Sequence, residues 1–315
     1  MDAQSWPGSL IETSRGPVFV RHDPEEPDRD AGGNRRPALF VHGLGGESLD
    51  WADVAANLGD FLDCYALDLP GFAHSPPPAD GDLSLAGQAR AVADVARAIG
   101  PVHLVGNSLG GAVCVRVAAE HPELVRSLTL ISPALPDLRP RFGSAQLTVA
   151  LVPLVGPLIV RLVLRADPEW MARRVYALCY GNPQAVSAER HARELATLRL
   201  RAGLPHSPRV YRSALRTMVA SYLNPGPRRL WKQATLVVVP TLVIYGARDK
   251  LVSQRVPVRA KRTFPDAEVL RLSDAGHVAH LEEPATVAEA LRAFVSRPDL
   301  DGGMTGRRGT VMKLI

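Results

Sequence analysis

Apolar residues along this chain come in short runs closed by glycine or proline, with longer stretches of helical period between them. Val18-Phe19-Val20 follows a Gly-Pro pair, and Pro37-Ala38-Leu39-Phe40-Val41 runs into glycines. Cys64-Tyr65-Ala66-Leu67, Val102-His103-Leu104-Val105, Ser127-Leu128-Thr129-Leu130-Ile131, Thr241-Leu242-Val243-Ile244-Tyr245 and Val269-Leu270-Arg271-Leu272 repeat the form. Short apolar runs bounded by turn residues predict strands buried on both faces. Between them, Leu85, Ala89, Val92, Ala96 and Ile99 share one helical face, which predicts a helix capped by Ser84 and ended by Gly100. Further helices are expected over Leu109–Glu120, stopped by Pro122, and over Val256–Phe264 and Ala285–Val295. Alternating strands and helices imply an α/β fold with a mostly parallel central sheet and right-handed crossovers.

Two stretches break the rhythm. Residues 133–232 are helix-like, rich in arginine and too long for a plain loop. They are read as a helical cap inserted into a core made of residues 1–132 and 233–297, while 298–315 are expected to be a disordered tail. Inside the cap, Leu147 to Val160 carry no charge. That run is short of the roughly 20 residues a membrane span needs and contains prolines and a glycine. Two readings stay open for it: buried cap helices, or a patch that lines an acyl pocket or makes weak contact with a lipid surface.

Composition narrows the class. The chain has 315 residues, 46% hydrophobic and 22% charged, which are globular values and exclude wholesale disorder. Cys64, Cys114 and Cys179 form neither a disulfide framework nor a zinc motif, and no metal is expected. The opening Met1-Asp2-Ala3-Gln4 has no basic and apolar leader pattern, so a cytoplasmic address is expected. The net charge of +5 is unevenly spread: 15 arginines face five acids in residues 133–231. No nucleic-acid motif accompanies that excess, so nucleic acid is not expected as a partner. The stretch either favours an anionic ligand or reflects a chain that has 33 arginines and only four lysines.

The most specific motif is Gly106-Asn107-Ser108-Leu109-Gly110-Gly111, directly after one predicted strand and before a helix. A G-x-S-x-G in that context places the serine on a sharp, strained turn with helix N–H groups beside it. A serine hydroxyl needs a base, and the base needs an orienting acid. His277 follows the last predicted strand in Ser273-Asp274-Ala275-Gly276-His277, and Asp249 follows the strand before it. Asp249 is placed to hold the His277 tautomer that leaves Nε2 free as base. Asp137 is the runner-up acid and His280 the runner-up base, while His42 is read as a loop-ordering residue. The oxyanion of an acyl-transfer intermediate needs preset donors, for which Leu109 N–H and Leu44 N–H are chosen, with Gly43 N–H as fallback.

These residues, with Asp68-Leu69-Pro70-Gly71-Phe72-Ala73-His74-Ser75 and Leu281-Glu282-Glu283-Pro284, make residues 9–297 resemble the α/β-hydrolase family. The resemblance implies a sheet of about eight strands and a variable cap after the sixth. It also implies cofactor-free serine chemistry through Ser108, Asp249 and His277. The expected function is cleavage of a carboxylic ester of a small, hydrophobic acyl substrate. Asn107 beside the serine is similar to the subgroup that holds meta-cleavage carbon–carbon hydrolases, though Val278 stands where those have an aromatic residue. A carbon–carbon hydrolase and a non-catalytic ligand-binding protein are the alternatives carried forward.

Overall fold

The structure, a computed structural model, describes residues 6–22, 35–137, 152, 155–223, 226 and 229–301. Its strands are β1 (Gly8–Ile11), β2 (Val18–Arg21), β3 (Arg36–Val41), β4 (Leu62–Leu67), β5 (Val102–Asn107), β6 (Val125–Ile131), β7 (Thr241–Gly246) and β8 (Ala267–Leu272). They form one eight-stranded sheet in the order β1-β2-β4-β3-β5-β6-β7-β8. β1 and β2 pair antiparallel, as do β2 and β4, and the other pairs are parallel. The α/β architecture expected from the apolar runs is the one observed.

The apolar runs feed two layers because side chains alternate across a strand. Leu39 and Val41 of β3 join one core with Val92 and Val95 of α2 (Leu85–Ile99) and Val113 and Val117 of α3 (Leu109–Glu120). Ala38 and Phe40 face the other way, into a core with Val54 of α1 (Ala52–Ala56), Trp51 and, near the C-terminus, Leu291 and Phe294. The Ser84 hydroxyl caps α2 by accepting the Gly87 N–H at 3.1 Å, and Gly100 ends it at φ 105°. The strand β1 has no counterpart in the sequence reading. It is an edge strand whose Leu10 is exposed, so the two-residue alternation that marks a half-buried strand is missing.

Between β6 and β7 the described chain is helical: α4 (Val155–Leu164), α5 (Pro168–Cys179), α6 (Ala188–Gly203), α7 (Ser207–Leu223) and α8 (Leu230–Ala234). Of the uncharged run, residues 147–151 and 153–154 lie outside the described residues. The part within α4 is divided by face. Gly156, Val160 and Leu164 are buried, the last two against Leu215 of α7, while Val155, Leu158 and Leu162 are exposed. Between β7 and β8 lies α9 (Arg255–Thr263), and after β8 come α10 (Ala279–Glu282), α11 (Pro284–Val295) and α12 (Pro298–Asp301). Residues 298–301, placed in the expected tail, are helical instead. Pro298 opens a helix at the position proline favours, and the buried Leu300 anchors it. Residues 302–315 lie outside the described residues.

Candidate active site

Every candidate residue sits beyond the carboxyl end of a parallel strand: the His42–Gly46 loop after β3, Ser108 after β5, Asp249 after β7 and His277 after β8. Ser108 has φ 50° and ψ −114°, a positive-φ conformation that costs a non-glycine residue about 1–3 kcal/mol. Its backbone is held on both sides. Ser108 N–H donates to Ile131 O at 3.0 Å, and Ser108 O accepts from Ala112 N–H at 3.1 Å and Ala134 N–H at 2.9 Å. Two motif glycines permit this turn through close approach. A Cβ on Gly106 would lie 2.6 Å from Cys114 Sγ, and one on Gly110 would collide with the Val41 carbonyl.

Asp249 and His277 are joined directly, Oδ2 to Nδ1 at 3.0 Å, and both are buried. Burial alone would raise the Asp249 carboxyl. The His277 charge, its hydrogen bond and the Val252 and Leu251 amides outweigh that and hold it below the ordinary carboxylate range. Asp249 Oδ1 accepts from those amides at 2.9 and 2.7 Å. With Nδ1 engaged, Nε2 is the ring nitrogen left for other work. Asp274 is turned away to an exposed pair with Arg248 at 2.5 Å. His280 is stacked on Trp51 with centroids 4.3 Å apart, and burial pushes its pKa down to about 3. The acid bonded to His277 is Asp249, not the runner-up Asp137.

Asn107, the residue before Ser108, holds the histidine loop. Its Nδ2 donates to the His277 carbonyl at 3.1 Å and to Ile131 O at 3.0 Å, tying the histidine loop to the ends of β5 and β6. Among the described residues no hydrogen bond joins the Ser108 hydroxyl to the His277 ring. On the other side, a Cβ on Gly43 would lie 3.3 Å from Ser108 Cβ, so the glycine loop passes directly beside the serine. His42 orders that loop: Nδ1 donates to Gly43 O at 2.7 Å, and Nε2 accepts the Leu69 N–H at 2.9 Å. Neither Leu44 N–H nor Leu109 N–H donates to another described residue. For Leu109 this follows from its place in the first turn of α3, whose N–H groups have no partner in the helix.

Three groups of residues with structural roles at the site were given no such role from the sequence. Glu282 receives the Gly276 and Gly181 N–H groups, each at 2.7 Å, and so clamps the histidine loop to the end of α5. Cys179 O accepts the His277 N–H at 2.7 Å. The third group is a seam of buried charges between α6 and the segment that follows the glycine loop. Arg190 pairs with Asp50 at 3.2 Å and Glu194 at 3.3 Å, Arg193 holds Asp53 in two bonds of 2.9 and 2.8 Å, and Thr197 donates to Glu47. Arg201 Nη1 donates to Gly45 O at 3.0 Å. The spacing of Arg190, Arg193, Thr197 and Arg201 marks one helical face, which is the available sequence signal. Among the described residues no group of three or more His, Cys, Asp or Glu side chains is placed to hold a metal ion. Nor is any helix among them long and apolar enough to cross a membrane.

Comparison with known proteins agrees with this fold. Residues 37–284 match the model of a family described as the alpha/beta hydrolase fold. Lipase 3 of Moraxella sp. (strain TA144) is 26% identical over 267 residues, 82% of this chain and 76% of that protein. The 2-hydroxy-6-oxo-6-(2'-aminophenyl)hexa-2,4-dienoic acid hydrolase of Metapseudomonas resinovorans is 27% identical over 277 residues, 84% of this chain and 86% of its own. Among solved structures, naproxen esterase from Bacillus subtilis superposes with a TM-score of 0.69 at 20% identity, covering 92% of this chain and 91% of that one.

Proposed function

We propose that this chain, which belongs to the alpha/beta hydrolase fold family, cleaves a carboxylic ester of a hydrophobic acyl substrate through an acyl-enzyme on Ser108. The family and its lipase and esterase relatives make the protein a hydrolase. In our reading Ser108 Oγ attacks the ester carbonyl while His277 Nε2 takes its proton. Asp249 stabilises the imidazolium and keeps Nδ1 engaged. The Leu44 and Leu109 amides receive the oxyanion, each stabilising the transition state by about 3 kcal/mol. His277 then protonates the leaving alcohol, and water, deprotonated by the same nitrogen, releases the acid. The Ser108–His277 hydrogen bond forms when substrate is bound, as catalytic hydrogen bonds often tighten only in the complex. The insertion between β6 and β7 acts as the cap over this site.

The observation that carries the reading is the buried 3.0 Å Asp249–His277 bond, tied through Asn107 to a serine in a strained turn. Its test is a screen of p-nitrophenyl esters from acetyl to palmitoyl beside Ser108→Ala. Turnover should rise beyond acetyl and vanish in the variant. Faster hydrolysis of a vinylogous diketone acid than of any ester would instead favour carbon–carbon cleavage. In the same reading, the exposed stripe Val155, Leu158 and Leu162 gives the cap a surface for weak lipid contact. Liposome flotation unchanged by Leu158→Asp would remove that element.

A further inference from the structure

The ester reading leaves the far end of the acyl chain undefined, and a cleft beside the glycine loop bears on it. This cleft is shallow and open to solvent, and lies between Gly45 and Gly71 of the core and Leu200, Val210 and Tyr211 of the insertion. Arg201 is the one charged side chain among the residues lining it. The guanidinium is half-buried, bonded through Nη1 to Gly45 O at 3.0 Å and 6.0 Å from the Tyr211 ring centroid.

No carboxylate among the described residues pairs with Arg201. The nearby acids are already engaged: Glu194 and Asp50 with Arg190, Asp53 with Arg193, and Glu47 with the Thr197 hydroxyl. Residues 138–151 of the insertion contain no Asp or Glu. The remaining guanidinium N–H groups have no acceptor among the described residues. A fork of donors beside apolar walls is matched by a planar carboxylate, which accepts two parallel hydrogen bonds and cancels the charge. One cation suits a carboxylate monoanion better than a phosphate dianion.

The cleft is also at a usable distance from the serine. A Cβ on Gly43 would lie 3.3 Å from Ser108 Cβ, while one on Gly45 would lie 2.5 Å from Arg201 Nη1. Those two glycines are two residues apart, a span of at most about 7 Å. We infer that Arg201 is a specificity-determining residue that binds a carboxylate at the far end of the acyl chain, so that the preferred substrate is a monoester of a short dicarboxylic acid. This rests on the ester reading for the scissile bond, but the carboxylate site can be tested apart from it.

The experiment compares kcat/KM for mono-p-nitrophenyl adipate and p-nitrophenyl hexanoate, which match in length and differ in the terminal carboxylate. Wild-type protein should favour the adipate ester, and Arg201→Gln should lower the ratio of the two by about ten- to a hundredfold, the scale of a charged hydrogen-bonded pair. A wild-type ratio at or below one, or a ratio unchanged in Arg201→Gln, overturns the inference while leaving the ester reading in place. Calorimetry with adipate gives a readout without turnover, with binding to wild-type protein and at least about tenfold weaker binding to Arg201→Gln. If neither ester is cleaved but adipate binding depends on Arg201, the carboxylate site stands and the ester reading falls. Equal binding of adipate to both proteins, or none to either, counts against the site.

Discussion

The rim that carries Ser108 and the seam that carries Arg190 are both polar places largely closed to water, but they are held by different means. At the rim the geometry is set mainly by main chain. Ser108 is fixed through its own N–H and C=O, the Gly106 and Gly110 positions admit no Cβ without a clash, and Asn107 and Glu282 bind backbone groups of the histidine loop. At the seam the two faces are joined chiefly by side chains, Arg190 and Arg193 on α6 meeting Asp50 and Asp53. Backbone bonds of this kind survive most single substitutions. A buried ion pair does not survive the loss of one partner, because the other charge is left without compensation. Chemistry should therefore be sensitive to the few reacting side chains at the rim, and folding stability to the charges at the seam.

That contrast can be broken or sharpened by substitution. The largest effect is expected at the rim. Asp249→Asn should cut kcat by about ten-thousandfold, through the wrong imidazole tautomer, with the fold intact by circular dichroism. A loss below tenfold would mean that another acid orients His277. At the seam, Arg190→Ala strands Asp50 and Glu194 and should lower unfolding free energy by about 3–5 kcal/mol in urea titration. A loss under about 1 kcal/mol would place the seam among weak surface pairs.

The smallest effect concerns Glu47, whose carboxyl is raised from 4.5 to about 7 by burial and then by the Asp50 charge. The native state holds that proton more tightly than the unfolded chain does. Its contribution is complete below pH 4.5 and is lost as pH climbs through about 7. Glu47→Gln keeps a neutral side chain at every pH, so its stability relative to wild type should improve between pH 4.5 and pH 8, by at most about 3 kcal/mol. Thermal unfolding at the two pH values checks this, and a constant difference would show that Glu47 does not titrate in that window.

The same contrast explains what could be read from the chain. The elbow was legible because it is local: strand, glycines and helix occupy consecutive residues, and the physics that strains Ser108 acts within them. Asp249 and His277 were legible from their places beyond apolar strand runs, which the parallel sheet aligns at one edge. The seam was not, because Arg190 and Arg193 meet acids 140 residues away and no local pattern names the partner. Of the aromatic residues of the insertion, Tyr176 and Tyr180 pack among Leu195 and Leu198, and Trp231 lies in the main core. Among the described aromatic residues of the insertion, Tyr211 lines the cleft. Composition identified apolar surface without saying which side of it faces a ligand.

In the proposed mechanism Ser108 is made nucleophilic by His277. The most direct measurement is the rate of covalent capture by a fluorophosphonate, with the labelled peptide identified by mass spectrometry. Rapid labelling is expected at Ser108, none there in Ser108→Ala, and labelling slowed by at least about a thousandfold in folded His277→Ala. Labelling at another residue, or a rate unchanged by loss of the imidazole, would contradict it.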